Sequence, residues 1–165
     1  MAIKLNPDFF LAHNNLGVVL VAEGKDEEAI SHYKMAIKLN PDYAKAHYNL
    51  GIALVAERKI EEAISHYKMA IKLNPDYDDT HYNLGNALSA ERKIEEAISH
   101  YKIAIKLNPD FVKAHYNLGS ALFQKGEMKE AIDHYKKTLK LKPDLVAAQK
   151  NLETALRSME IQDLF

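Results

Sequence analysis

Histidines are the residues whose type and spacing suggest chemistry most directly in this sequence. The chain of 165 residues has eight of them. They form two columns, which are sets of positions 34 residues apart: His13, His47, His81 and His115, and then His32, His66, His100 and His134. A metal site needs several ligands that converge on one point. One histidine per 34 residues in each column distributes the ligands along the chain, so we predict no metal site and no cofactor.

Other arrangements that could support catalysis have unsuitable geometry. A glutamate lies four residues before each histidine of the second column, as Glu62 does before His66, and this is the spacing of a stabilising pair on a helix surface. A serine or aspartate directly precedes the same histidines, and adjacent side chains on a helix point about 100° apart. The sequence contains no glycine-rich phosphate loop. We predict that the chain is not an enzyme.

The charge balance and the lack of cysteine exclude several classes of partner. Lysine and arginine total 22 and aspartate and glutamate total 23, whereas nucleic acids and anionic membranes attract clustered positive charge. No apolar run approaches the roughly 18 residues of a membrane-spanning helix. The absence of cysteine is compatible with a reducing compartment. We expect an intracellular, cytoplasmic protein with no nucleic-acid partner and no membrane partner.

A 34-residue internal repeat organises the whole chain. The sequence Ile-Lys-Leu-Asn-Pro-Asp begins at Ile3, Ile37, Ile71 and Ile105, and a divergent copy begins at Leu139. Such a period is typical of a stacked array of small units. The predicted organisation is the end of a preceding repeat's second helix at 1–9, four repeats at 10–43, 44–77, 78–111 and 112–145, and a C-terminal capping helix and tail at 146–165.

Each repeat is predicted to form two helices. In the second repeat, Leu50 and Leu54 lie on one face of an amphipathic helix, and Ala63 and Tyr67 belong to the buried face of the next. Asp42 follows a proline and is predicted to cap the first of these helices. No alternating strand pattern occurs, so the fold class is predicted to be all-α.

The repeat resembles the tetratricopeptide repeat family, whose pattern is Trp-x2-Leu-Gly-x2-Tyr, then Ala-x3-Phe, then Pro. The matching residues of the second repeat are His47, Leu50, Gly51, Leu54, Ala63, Tyr67 and Pro75. The resemblance covers essentially the whole chain and implies a right-handed superhelical solenoid of antiparallel helix pairs. Histidine stands in the family's tryptophan column, and leucine stands in its first tyrosine column.

The turn between the two helices of a repeat also departs from the family. Gly24 and Gly126 occupy this turn in the outer repeats, whereas Arg58 and Arg92 occupy it in the inner ones. An arginine in the left-handed conformation would cost about 1 kcal/mol relative to glycine.

The resemblance implies that the first helix of each repeat lines a concave groove that binds peptides. An asparagine column on these helices is similar to one in the repeat domain of O-linked N-acetylglucosamine transferases, where it holds peptide backbones. The asparagine column consists of Asn15, Asn49, Asn83, Asn117 and Asn151, and a tyrosine column beside it consists of Tyr48, Tyr82 and Tyr116. An amide can both donate to and accept from a peptide backbone. The alternative is that both columns only stabilise packing between neighbouring helices.

Other positions that the family directs into the groove change character along the chain. They are apolar in the first two repeats, at Val18, Val21, Ile52 and Val55, and polar in the next two, at Asn86, Ser89 and Ser120, with Phe123 as an exception. The basic residues of the groove edge are Lys45 and Lys113. Because the lysines and arginines of the family's carboxylate clamp are missing from the matching columns, we do not expect a clamp for chaperone C-terminal tails.

The predicted function is a non-catalytic scaffold that binds an extended segment of a partner protein in the groove. Two alternatives stay open: a substrate-recruiting repeat arm of a larger enzyme such as a glycosyltransferase, and a self-assembling structural module. Residues 1–8 reproduce Met35–Asp42 exactly in type and order, so the helix that starts near Phe10 lacks the neighbour of the later repeats. We expect either a cut from a longer array or self-association through this N-terminal end.

The histidine columns predict a response to mild acid. Partial burial of the first column would lower its pKa values, and stability would then decline below about pH 6.5. The second column is expected to oppose this, because a nearby glutamate favours the charged imidazolium.

Overall fold

A computed structural model describes residues 9–162, which fold entirely into helices and the turns between them. The helices are α1 (Phe9–Ala22), α2 (Asp26–Leu39), α3 (Ala44–Ala56), α4 (Ile60–Leu73), α5 (Asp78–Ala90), α6 (Ile94–Leu107), α7 (Val112–Lys125), α8 (Met128–Leu141) and α9 (Val146–Gln162). Residues 1–8, where the sequence predicts the end of a preceding helix, lie outside the described residues, as do 163–165. Within the described range, no helix is long and apolar enough to cross a membrane.

The helices belong to two compact units that divide between Asn83 and Leu84, inside α5. In the N-terminal unit α1 packs on α2, α2 on α3, and α3 on α4. Three residues connect α1 to α2 and α3 to α4, and such short connections make neighbouring helices antiparallel. The largest buried apolar side chains of this unit are Leu20, Ile30, Tyr33, Leu50, Leu54, Ile64 and Tyr67.

The C-terminal unit repeats this pattern. There α6 packs on α7, α7 on α8, and α8 on α9. Its largest buried apolar side chains are Leu84, Leu88, Ile98, Tyr101, Leu118, Leu122, Ile132 and Tyr135. In α9 the alanines Ala148 and Ala155 are fully buried, so the last helix contributes to the core of this unit.

The turns inside each repeat use the left-handed conformation. Gly24 has a φ of 74° and Gly126 a φ of 87°, and Arg58 and Arg92 both have a φ of 59°. After Arg58, the backbone N–H of Lys59 donates to the carbonyl of Leu54 at 2.8 Å, which is the long hydrogen bond of a Schellman motif. The two arginines therefore adopt the strained conformation that their position in the sequence suggested.

The turns between repeats are held differently from the prediction. Asp42 does not cap α3: the helix begins at Ala44, and its N-cap residue Tyr43 makes no side-chain capping bond. Instead, the side-chain oxygen of Asn40 accepts a hydrogen bond from the Asp42 backbone N–H at 3.2 Å. The polar residue before the proline, and not the one after it, satisfies this backbone group.

A glycine on each first helix lets the tyrosine of the second helix approach closely. A methyl group placed on Gly51 would lie 2.5 Å from Cε1 of Tyr67, and one on Gly17 would lie equally close to Tyr33. That separation is far inside van der Waals contact, so glycine is required here. The contact sets the position of the tyrosine ring against the first helix.

Candidate functional site

The two histidine columns meet in pairs across the helices of a repeat. The Nδ1 atoms lie 2.9 Å apart for His13 and His32, and 3.0 Å apart for His47 and His66. In the C-terminal unit the corresponding distance between His115 and His134 is 2.9 Å. The expectation that the histidines stay apart along the chain is therefore wrong within a repeat, where one histidine of each column contacts the other. No group of three or more His, Cys, Asp or Glu that could hold a metal ion occurs among the described residues.

The other ring nitrogen of the first-column histidines holds the turn between repeats. Nε2 lies 3.0 Å from the Pro41 carbonyl in His47 and 3.0 Å from the Pro109 carbonyl in His115. Because a carbonyl oxygen can only accept, Nε2 carries the proton and donates. In α9 the same column is occupied by Gln149, whose Nε2 donates to the Pro143 carbonyl at 2.9 Å. The function of this column is thus to donate to the loop, and an amide serves as well as an imidazole.

The tautomers of a neutral pair follow from this bond. With a proton on Nε2, the neutral ring of His47 has an unprotonated Nδ1 that accepts a hydrogen bond. His66 must then donate from its own Nδ1. The chain of bonds from His66 through His47 to Pro41 connects α4, α3 and the preceding loop.

Burial lowers the pKa of two histidines in each column, His81 and His115 in the first and His66 and His134 in the second. In the first column, burial lowers the pKa values of His81 and His115 more than their hydrogen bonds to proline carbonyls raise them. In the second column, the pKa of His66 is lowered by burial first, then by the charges of His47 and Lys34, against the raising effect of Glu62. Glu62 does raise this pKa, as expected, but burial and the two positive charges outweigh it, so the expected net upward shift of the pKa is wrong.

The asparagine column forms hydrogen bonds between successive first helices. In the N-terminal unit, Nδ2 of Asn49 donates to Oδ1 of Asn14 at 2.9 Å, and Nδ2 of Asn83 donates to the Tyr48 hydroxyl at 3.2 Å. Asn14 is fully buried and its own Nδ2 lies 3.4 Å from Oδ1 of the exposed Asn15. One side of each amide therefore stabilises packing. No donor from the described residues reaches Oδ1 of Asn49 or Asn83.

The C-terminal unit shows the same use of the amide nitrogen. Nδ2 of Asn117 donates to Oδ1 of Asn86 at 2.7 Å, and Nδ2 of Asn151 donates to the Tyr116 hydroxyl at 3.2 Å. The tyrosine column thus accepts from the asparagine column in both units. Packing between helices thus uses one N–H of the amide in Asn49, Asn83, Asn117 and Asn151.

An apolar pocket of about 190 Å³ lies on the first helices of the N-terminal unit. Its walls are Val18, Val21, Tyr33, Asn49 and Ile52. Val18 is 47% exposed and Ile52 is 36% exposed, so aliphatic surface is available to a ligand. Four of the predicted site residues converge here, and Tyr33 from α2 joins them.

The pockets of the C-terminal unit are more polar. One of about 180 Å³ is lined by Asn86, Ser89, Tyr101, Asn117, Ser120, Ala121 and Gln124. Another of about 260 Å³ is lined by Ser120, Phe123, Gln124, Tyr135, Asn151 and Thr154. The pocket of the N-terminal unit is thus lined mainly by aliphatic residues, and the two pockets of the C-terminal unit are lined mainly by polar ones.

Other predicted site residues lie outside these three pockets. Lys45, Lys113 and Val55 are exposed, and Tyr48, Tyr82 and Tyr116 are half-buried. Tyr48 makes an edge-on contact with Tyr77, at 5.3 Å between ring centroids. Burial, and then the charge of Asp79, raises the pKa of Tyr48 to about 12, so its hydroxyl stays protonated.

Sequence reasoning missed the tyrosines of the second helices as pocket residues. Tyr33, Tyr101 and Tyr135 all line pockets, although the sequence placed them only in the core. A signal was present, because the family pattern has phenylalanine in this column. A tyrosine in every repeat adds a hydroxyl that must find a partner.

Comparisons with known proteins agree with this architecture. Family models described as "TPR repeat" match residues 17–57 and 53–91, and one described as "Tetratricopeptide repeat" matches residues 82–146. The chain belongs to the tetratricopeptide repeat family. The fold class predicted from the sequence, an all-α solenoid of helix pairs, is confirmed. No match was found among curated protein sequences.

Solved structures with similar folds include three that are informative. A crystal structure of MamA is 27% identical with a TM-score of 0.84 over 89% of this chain and 86% of that one. YrrB, described as a TPR protein with an unusual peptide-binding site, is 22% identical, with a TM-score of 0.85. The match covers 94% of this chain and 80% of YrrB. The first TPR of Spaghetti (RPAP3), bound to the HSP90 peptide SRMEEVD, is 25% identical, with a TM-score of 0.69. The match covers 71% of this chain and 93% of that structure.

Proposed function

We propose that the protein is a non-catalytic interaction scaffold that binds an extended segment of a partner protein along its first helices. The observation that carries this proposal is the asymmetric use of the asparagine column. The nitrogen of Asn49 is held by Asn14 and that of Asn83 by Tyr48. Each oxygen is left to accept, and a backbone N–H of an extended ligand is a suitable donor.

The fixed orientation of these amides favours binding. An amide whose nitrogen is already bonded loses little conformational freedom when a ligand arrives, so the ordering cost of binding falls. The half-buried environment also strengthens a hydrogen bond relative to one in water. Tetratricopeptide repeats generally act as scaffolds, and the Spaghetti structure contains a bound peptide. Both support the proposal.

The test is selection of peptides from a displayed random library of about twelve residues. At roughly 3.3 Å per residue this length spans about 40 Å, which is more than enough to cross three helices that lie about 10 Å apart. Selected peptides should bind the wild type and lose affinity for a variant with Asn49→Ala and Asn83→Ala. The control variant carries Ser31→Ala and Ser65→Ala, which alter exposed serines of the second helices and should bind normally.

Stability must be separated from recognition in this experiment. Asn49→Ala removes the partner of the buried Asn14 as well as the contact with a ligand, so each variant is used well below its own melting temperature. A library that yields no peptide, or peptides whose binding ignores both asparagines, would refute the proposal.

A second candidate function is self-association through α1. Leu16 is 44% exposed and Val19 is 52% exposed, whereas the matching residues of α3, Leu50 and Ala53, are fully buried. The sequence of α1 contains no charged residue, so a second copy could pack its own α1 on this face without burying charge. Light scattering over a concentration series tests this: Leu16→Lys should convert a dimer to a monomer, and a monomer at all concentrations excludes it.

The role of a recruiting arm in a larger enzyme would use the same groove. It predicts that a peptide selected by the groove occurs in the substrates of that enzyme. A cytoplasmic location is part of the proposal and can be checked by fractionation of cells that produce the protein.

A further inference from the structure

The tyrosine column of the second helices differs between the two units in what its hydroxyls contact. In the C-terminal unit the Tyr101 hydroxyl donates to Oδ1 of Asn86 at 2.9 Å, and the Tyr135 hydroxyl donates to Oγ of Ser120 at 3.3 Å. Each acceptor lies fifteen positions before its tyrosine. In both cases a polar residue of the first helix thus accepts the hydrogen bond of the tyrosine hydroxyl.

The N-terminal unit lacks these acceptors. The residues fifteen positions before Tyr33 and Tyr67 are Val18 and Ile52, which are aliphatic. Neither hydroxyl has a hydrogen-bond partner in the described part of the chain. A tyrosine hydroxyl near a ligand surface normally finds a partner, so the missing acceptor is a signal for a ligand group.

The Tyr33 hydroxyl remains accessible although the residue is only 2% exposed. Among the described residues, Oγ1 of Thr80 is the only fully buried side-chain polar atom that has no hydrogen-bond partner. The Tyr33 oxygen is therefore not sealed in the core, and its side chain lines the apolar pocket with Val18, Val21 and Ile52. Burial, and then the charge of Asp26, raises the pKa of Tyr33 to about 12, so the group is a donor at neutral pH.

Asn49 adds one acceptor to the same pocket. Its Nδ2 is held by Asn14, while its side chain shares the pocket wall with Tyr33. The pocket therefore combines three aliphatic walls with one donor and one acceptor. An extended peptide offers the complementary set at each residue: a side chain, a carbonyl and an N–H.

We propose that this pocket selects an aliphatic side chain of the bound segment, with the Tyr33 hydroxyl donating to a ligand carbonyl and Oδ1 of Asn49 accepting a ligand N–H. The inference rests on the proposed function and specifies its selectivity. In the C-terminal unit, Asn86 and Ser120 satisfy the tyrosines and leave a polar pocket, which takes polar side chains. The first-helix column that contains Val18, Ile52, Asn86 and Ser120 thus decides which kind of side chain a pocket accepts.

The experiment uses the same displayed library and sequences the selected peptides for wild type and two swap variants. On wild type, one ligand position should be enriched in Val, Leu or Ile. Ile52→Asn should reduce that enrichment at least ~10-fold, which is the scale expected when one aliphatic side chain loses its apolar contact. Asn86→Ile is the matched reverse swap and should add aliphatic residues at a second position. Both substitutions occur naturally in the neighbouring repeat, so the fold tolerates each residue type.

A third variant separates the hydroxyl from the aliphatic walls. Tyr33→Phe should weaken a synthetic copy of the most enriched peptide by about 3- to 10-fold without changing which side chain is preferred. An aliphatic preference that survives Ile52→Asn, or a wild type that selects peptides without aliphatic preference, would overturn the inference and leave the proposed function intact. A wild type that selects no peptide would instead refute the proposed function itself.

Discussion

Nδ1 of His47 and Nδ1 of His66 lie 3.0 Å apart and form a hydrogen bond between α3 and α4. His47 is held on its other side by the Pro41 carbonyl. A first added proton can enter at Nε2 of His66 and keep the bond, but a second would place two N–H groups against each other. This geometry disfavours a state in which both rings are charged, and the charge of His47 is, after burial, the next cause of the lowered pKa of His66.

We predict that the protein loses stability in mild acid. A histidine whose folded pKa is lowered stabilises the fold fully above its unfolded pKa of about 6.5, and this contribution is lost as pH falls from there to the folded pKa. Urea midpoints should be constant above pH 7.5 and fall between pH 6.5 and 5.5. A variant with glutamine at positions 81 and 115, where burial lowers the pKa of the histidine, should fall less, and equal slopes for both proteins would contradict this assignment.

The hydrogen bond to the proline carbonyl allows a separate prediction at neutral pH. His47→Ala should destabilise the fold by about 1–3 kcal/mol, because the Pro41 carbonyl and His66 both lose a partner. His47→Gln should recover most of this loss, since Gln149 makes the equivalent bond to Pro143. Chemical unfolding of the three proteins at pH 7.5 tests this; glutamine and alanine variants of equal stability would show that the bond contributes nothing.

Arg58 and Arg92 adopt a φ of 59°, so replacing them with glycine should help the fold. Arg58→Gly is expected to raise the free energy of unfolding by up to about 1 kcal/mol, because glycine adopts this conformation without steric cost. Gly126→Ala is the reverse control and should destabilise by a similar amount. No atom lies within 4 Å of a methyl group placed on Gly126, so steric crowding does not contribute to the effect of this substitution. Thermal melts that move in the opposite directions would argue against backbone strain.

The tyrosine hydroxyls should differ in how much they stabilise the protein when no ligand is bound. Tyr101→Phe removes the bond to Asn86 and should cost about 1 kcal/mol. Tyr33→Phe removes a hydroxyl that has no partner among the described residues and should leave stability within about 0.5 kcal/mol of wild type. Paired urea titrations of the two variants measure the difference. Equal losses would mean that Tyr33 has an internal partner and that its pocket is not open to a ligand.

The repeat allowed the fold to be predicted from the sequence almost completely. A 34-residue period, paired apolar faces and the Leu50-Gly51 pattern specify helix pairs, and the left-handed turn at Arg58 followed from its alignment with Gly24. These features depend on local conformation and on spacing along the chain. Both can be obtained from one sequence.

The details of the site depend on how helices rotate against each other, which spacing does not specify. The pairing of His47 with His66 is one example, and the contact of Tyr101 with Asn86 is another. Sequence reasoning also assigned the cap to Asp42, whereas the helix begins two residues later, at Ala44, with Tyr43 as its N-cap residue. The asparagine column was recognised from the sequence. Which amide atom bonds to the protein and which is left for a ligand depends on the neighbouring side chains, and these are known only from the structure.

Solution NMR of the protein with its strongest selected peptide tests the central claim most directly. If the first helices bind the peptide, the side-chain amide signals of Asn49 and Asn83 and the backbone amides around Val18 and Ile52 should shift on titration. Backbone amides around the exposed lysines of the second helices, such as Lys34 and Lys68, should not. Shifts confined to the second helices, or no shifts at saturating peptide, would contradict the account.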